Sequence, residues 1–279
     1  MNPDLLHTYD HYFYALVALL GTALGVAGIQ WFLRQSRWAA WAQSLHGVAP
    51  PFINIIGVLF GLTLAFLAND TWSAHDRATN AVFREADALR SLVTLSAALP
   101  GPLQGRVRAA IADYGQASAA EWPLLARRQS SAQVPDRADA LLRLLAGRDV
   151  ASAAGDTVQA LMLRKVSDIR DERDQRIGLS QTHVNPLKWL GMAFLGLVTL
   201  LSLAVVHVEN QRAALVAMVL FALAAAPTAA IVLVQGNPFE QPASVSPAPI
   251  AAAVQGLDTL PVLTPALGKP AFQEVKRDF

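Results

Sequence analysis

Cysteine is absent from the chain, which excludes disulfides, thiolate metal sites and cysteine nucleophiles together. A strong charge of either sign is absent too. The formal net charge is +1, so the electrostatic footprint of a nucleic-acid binder is missing and no nucleic-acid partner is expected. Met1 to Asp10 contain no Lys or Arg. A cleavable secretory signal opens with a positive region, so the first apolar run reads as a retained helix. No nucleophile elbow, P-loop, dinucleotide fingerprint or zinc signature occurs. No catalytic residue, cofactor or metal site is therefore expected, and the chain reads as a non-enzyme. Strand-like alternation and internal repeats are missing as well.

What is present is hydrophobicity in blocks. Tyr12–Leu33, Ala49–Ala68, Trp189–Val206 and Ala213–Val234 contain no Asp, Glu, Lys or Arg. Each reaches or approaches the roughly 20 residues that a helix needs to cross a bilayer's hydrocarbon core. Only helices and closed barrels satisfy every backbone group in lipid, and these runs lack the alternation of barrel strands. The expected class is an all-α integral membrane protein with four transmembrane helices in two hairpins and a helical-bundle soluble domain between them. The divisions are an N-terminal segment at 1–11, spans at 12–33, 49–69, 186–207 and 212–234, the soluble domain at 70–185, and a proline-rich tail at 235–279. The lipid bilayer is the first partner this implies.

Beyond Ala68 the helical pattern continues. Trp72, Ala78, Val82, Ala86, Leu89, Val93 and Leu95 recur at helical spacing among charges. The second span is therefore expected to run on as an amphipathic stalk to Pro100-Gly101-Pro102. A helix from Leu103 to Arg128, a loop over Ser130–Pro135 and a helix over Asp136–Leu145 should follow. The next, Asp156–Gln181, is dense in charge, and Arg170/Asp174 and Glu172/Arg176 stand four apart as helix-stabilising pairs. Such a segment reads as a solvated face. Pro227 predicts a kink in the last span. Seven prolines after Val234 forbid a long helix there.

Orientation follows Lys and Arg near the span ends. Arg34, Arg37 and Arg212 lie in the short loops, while the N-terminal segment and the first residues after Val234 have none. The count sets both termini and the soluble domain outside the cytoplasm.

The second span carries the most suggestive constellation. Asn54, Gly57, Gly61, Ala65 and Asn69 fall three or four apart on one face, with Asp70 and Asp76 beyond. Two readings compete. A small-residue stripe lets helices approach closely. In a symmetric oligomer the same stripe can line a wet path, with Asn54 and Asn69 as dipoles and Asp70 or Asp76 at its mouth. Gly21, Gly25 and Gly28 form a second small set, read as packing. His7 and His11, four apart, read as part of an interfacial aromatic belt with Tyr9, Tyr12 and Tyr14 rather than as metal ligands.

Several ordered strings carry a resemblance: Leu62-Thr63-Leu64-Ala65-Phe66-Leu67 running into Trp72, Glu85-Ala86-Asp87-Ala88-Leu89 with Leu99-Pro100, Tyr114 with Glu121-Trp122-Pro123, and Asn237-Pro238-Phe239 before Ser244-Val245-Ser246-Pro247. In order and spacing the chain from about Phe52 to Val254 resembles the bacterial bestrophin-like family of unknown function. The resemblance implies the two-plus-two architecture, a multi-pass protein of the bacterial inner membrane and, through distant kinship to the pentameric bestrophin anion channels, a homo-oligomer of three or more subunits that passes inorganic ions. Gly236 and Glu240-Gln241 depart from the acidic residue and glycine that usually flank the family's Pro-Phe, and no acidic cluster resembles the calcium clasp of animal bestrophins. True bestrophins also keep the helical domain in the cytoplasm, opposite to the charge count. The alternative function is a non-conducting membrane scaffold or envelope sensor whose helical domain binds a partner; a membrane enzyme stands third.

Overall fold

The computed structural model describes residues 16, 19–32, 49–181, 186–241 and 243–257, and every regular element among them is helical. The elements are α1 (Leu19–Phe32), α2 (Ala49–Ser96), α3 (Gly101–Ala120), α4 (Trp122–Ala126), α5 (Gln133–Leu145), α6 (Arg148–Ala154), α7 (Asp156–Gln181), α8 (Pro186–Val206), α9 (Gln211–Val234) and α10 (Ala248–Val254). The segment 1–11 with His7 and His11, the loop bearing Arg34 and Arg37, and the chain after Leu257 lie outside the described residues.

Among the described residues three helices, within α2, α8 and α9, are long and apolar enough to cross a membrane. The described part of the first apolar run, Leu19–Phe32, is shorter than a span. α2 is one uninterrupted helix of 48 residues, or about 72 Å at 1.5 Å per residue. α9 continues through Pro227.

Several expectations need correction. The helix expected from Leu103 to Arg128 is two, because Glu121 caps α3 with a tightened turn (its N–H bonds Ser118 O) and α4 restarts at Trp122. Pro123 has no N–H to carry one ladder across that point. α5 begins at Gln133 rather than Asp136; Pro135 sits in its first turn, where a missing N–H is harmless. The short helix α6 was not foreseen. Gly155 joins it to α7 with φ +79, a conformation that glycine adopts without steric cost. Trp72, assigned to the stalk's apolar face, is 58% exposed.

The chain forms two compact units. The first comprises Met1–Asn80, Pro123–Gln129 and Gln175–Ser246. Its described core has two clusters. Phe60, Leu67 and Ala68 of α2 pack with Met192 of α8 and Ala225, Ala229 and Val232 of α9. Val26 and Ile29 of α1 pack with Leu200 and Ala204 of α8 and Met218 of α9. Small residues permit these approaches. A Cβ on Gly196 would stand 3.3 Å from the Phe60 ring and one on Gly25 would stand 3.7 Å from Leu200. Phe60 and Phe221 meet as tilted rings with centroids 5.1 Å apart, a favourable aromatic geometry.

The second unit comprises Ala81–Trp122, Ser130–Asp174 and Pro247–Phe279. Ala81, Val82, Leu89 and Leu92 of α2 are buried, as are Val107, Ile111 and Tyr114 of α3, Leu141 and Leu145 of α5, and Met162, Val166 and Ile169 of α7. The spacings are those of helical core faces. α3 packs on both α5 and α10. The contact with α10 is close: a Cβ on Gly115 would fall 2.4 Å from Val254 Cγ1.

Candidate functional site

The candidate stripe lies on the outer face of α2. Phe60, Leu67 and Ala68 turn inward, which leaves Asn54, Gly61, Ala65 and Asn69 exposed and Gly57 partly so. A Cβ at Gly57 or Gly61 would meet nothing within 4 Å. Among the described residues, then, no neighbour within the subunit uses these glycines for close approach. The face is not purely polar: Ile55, Val58, Leu62 and Phe66 flank the stripe at 50–67% exposure.

At the stripe's end Asp70 is paired. Lys188, in the first turn of α8, donates from Nζ to Asp70 Oδ2 at 2.6 Å. Both side chains are about half exposed, at 54% and 55%, so the pair contributes little stability, but it cancels most of the field a lone carboxylate would project. Asp76, two turns further on, is exposed. Of the other small set, Gly25 packs near Leu200, whereas Gly21 and Gly28 have open space where a Cβ would stand. Gly21 and Gly25 line an apolar cavity of about 380 Å³ with Phe60, Trp189, Gly196 and Phe221.

Buried charge is the feature that the sequence reading missed. The solvated reading of α7 holds for Arg164, Asp171 and Asp174, which are exposed. It fails for Arg173 and Arg176, at 6% and 0% exposure. Arg173 donates from Nε to Glu121 Oε2 at 3.1 Å and from Nη2 to Glu121 Oε1 at 2.6 Å. Nη2 also reaches Ser131 O at 3.1 Å, while Ser131 N donates to Glu121 Oε1 at 2.7 Å. Arg170 pairs with Asp139 of α5 rather than with Asp174, and Glu172 lies 3.6 Å from Arg84 of α2. Glu85, wholly buried, accepts from Tyr114 Oη at 3.0 Å and from Ser118 Oγ at 2.7 Å. Desolvated carboxylates held by donors in this way fix the packing of helices. The signal was present in the sequence: Arg173 and Arg176 continue the stripe Met162, Val166, Ile169, and Glu121 continues Ile111, Tyr114, Ser118. A charged residue in register with a core face is a buried charge in search of a partner.

The Asn237-Pro238-Phe239 string has a structural role. Asn237, 3% exposed, donates from Nδ2 to Leu125 O and Ala126 O at 3.1 Å each. Both carbonyls belong to the last turn of α4, where the helical ladder runs out of donors; Leu125 O also accepts from Arg128 N at 3.0 Å. Asn237 Oδ1 accepts from Phe239 N at 3.0 Å, and Val245 N donates to Pro238 O at 2.8 Å. The string is a clamp on a helix end. Among the described residues no three His, Asp or Glu side chains group as metal ligands.

No curated protein matches the chain. Its fold is similar to solved structures of a bacterial bestrophin homologue from Klebsiella pneumoniae. One, phased on zinc, gives a TM-score of 0.62 at 14% identity and covers 88% of this chain and 96% of that one. A single-substitution variant gives 0.63 at 14% identity, with 88% and 97% covered. A structure described as that of a membrane protein gives 0.62 at 15% identity, with 88% and 97% covered. At such identity these likenesses speak for the fold. The model of the bestrophin-like domain matches residues 20–250, most of the chain and every ordered string noted above from Leu62 onward, and the chain therefore belongs to the bestrophin-like family.

Proposed function

We propose that the protein is a homo-oligomeric membrane channel whose α2 helices surround an ion path. In this reading α1 belongs to a full first span, four spans form two hairpins, and Asn54, Gly57, Gly61, Ala65 and Asn69 face the axis. Asp70 and Asp76 stand at one mouth. The observation that carries the proposal is the open face of α2: exposed amides at helical spacing with Gly57 and Gly61, at which an added Cβ would meet none of the described residues within 4 Å. A face so exposed on an apolar helix meets lipid, another subunit or water. Lipid has no use for two exposed amides, whereas a water-lined path does. Anion passage, which the family resemblance implies, is compatible with an Asp70 carboxylate neutralised by Lys188. The role is conduction rather than catalysis, at the bacterial inner membrane, with the residues between α2 and α8 outside the cytoplasm.

Planar-bilayer current from purified protein tests the reading, and Gly61→Leu discriminates its parts. On an axial path the substitution brings an isobutyl group from every subunit to one level, where dewetting closes the constriction. Lost current with an intact oligomer supports the path. If the stripe packs against a neighbouring subunit, overpacking costs about 1–3 kcal/mol per site and loosens the oligomer. Unchanged current assigns the stripe to the lipid face, and no current from the unaltered protein favours the scaffold reading.

A further inference from the structure

A groove of about 670 Å³ runs between α1 and α9, walled by Leu19, Val26 and Trp31 on one side and Val219, Leu223 and Pro227 on the other. Small-molecule sites fall at about 300–1,000 Å³. The walls are mostly apolar; the polar residues among them are Thr22 and, near the C-terminal end of α1, Gln30. Gln30 lines the groove, is 8% exposed, and has no hydrogen-bond partner for either Nε2 or Oε1. Pro227, inside the continuous α9, offers no N–H to the carbonyl of Leu223, itself a wall residue at 67% exposure. α9 is long and apolar enough to span a membrane. At that depth no water relieves an unpaired amide or carbonyl.

The chemistry of the occupant follows. A primary amide both donates and accepts, and the Leu223 carbonyl accepts. A phospholipid ester only accepts, and would leave Gln30 Oε1 unmet. A hydroxyl or an undissociated carboxyl does both. We propose that the α1–α9 groove binds a single long-chain amphiphile drawn from the bilayer, its hydroxyl or undissociated carboxyl head held by the Gln30 amide and its chain laid along α1 toward Leu19. The amide atoms lie just beneath the wall, and a turn of the Gln30 side chain about its own torsions delivers them to the head.

Native mass spectrometry of the delipidated protein, offered oleyl alcohol, oleic acid or 1-octadecene in detergent, tests the proposal. The alcohol, the acid or both should bind about tenfold more tightly than the headless alkene, and the comparison identifies the source of the head. Gln30→Leu removes an unmet polar group, so folding is not endangered; it should reduce alcohol and acid to the alkene's level. Ala222→Trp, which fills the groove, should abolish all three. Equal binding by the unaltered protein and Gln30→Leu, or no preference for a polar head, overturns the proposal. So does a photo-crosslinking residue at position 219 that captures a second copy of the chain in native membranes, because the groove is then a subunit interface.

Discussion

At the scale of single residues, the second unit is pinned by charges that carry no exposed function. Glu121 and Arg173 are 0% and 8% exposed at the side chain and share two hydrogen bonds. Removing one partner of such a pair strands the other in a medium that cannot solvate it, at a cost of about 3–5 kcal/mol. Arg173→Met should therefore lower the thermal unfolding midpoint of the solubilised protein sharply. Glu121→Leu combined with Arg173→Met should recover much of the loss, since an apolar pair of similar volume leaves no orphan charge. A single variant as stable as the unaltered protein would mean that the pair is dispensable. The identity of the buried residues was legible in their register with the core stripes of α3 and α7. Their pairing was not, because partners 52 residues apart are joined by tertiary packing alone. Local i,i+4 reasoning supplied Arg170/Asp174 where the fold uses Arg170 with Asp139.

At the scale of elements, apolar patterning was a good guide to α2, α7, α8 and α9, where long periodic stretches leave little choice of structure. It was poor at the short helices. α6 and α10 have 7 residues each, too few for a period to declare itself, and their helical state depends on what they pack against. The α3–α10 contact offers a test. Gly115→Ala places a methyl group within van der Waals overlap of Val254. Overpacking of this kind costs about 1–3 kcal/mol, and the variant should lose protection from hydrogen exchange across 248–254. Val254→Ala removes the two methyl groups that clash and should restore most of the stability in the double variant. If Gly115→Ala alone is neutral, α10 has another seat. On α2 the sequence showed the stripe of small residues but not its surroundings, since periodicity marks a face and not what lies opposite.

At the scale of the molecule, the membrane-spanning helices keep a large apolar surface uncovered. Phe52, Phe66, Leu187, Phe194, Leu220 and Leu223 are each more than half exposed. Part of this is suited to lipid, yet the α2 face with its amides is not. The solubilised protein should have a native mass of at least three subunits in mild detergent and in nanodiscs; a single-subunit mass in both would remove the axial path. Topology can be read separately. Alkaline phosphatase fused after residue 130 should be active in a bacterial host and a fusion at residue 42 inactive, as the charge count requires. The opposite pattern would set the helical domain in the cytoplasm, as in true bestrophins.

The order in which the second unit's pieces occur along the chain bears on how the protein is made. Its three segments end at Trp122, at Asp174 and beyond Val254, and α8 and α9 are synthesised between the second and the third. When Glu121 leaves the ribosome its guanidinium partner is still to be translated, and the Gly115 surface stays bare until α10 emerges after the last hydrophobic helix. The unit cannot close as a nascent domain. Its completion waits for both later spans to pass through the insertion machinery, so a ribosome stalled within α9 leaves a half-built bundle for quality control to find.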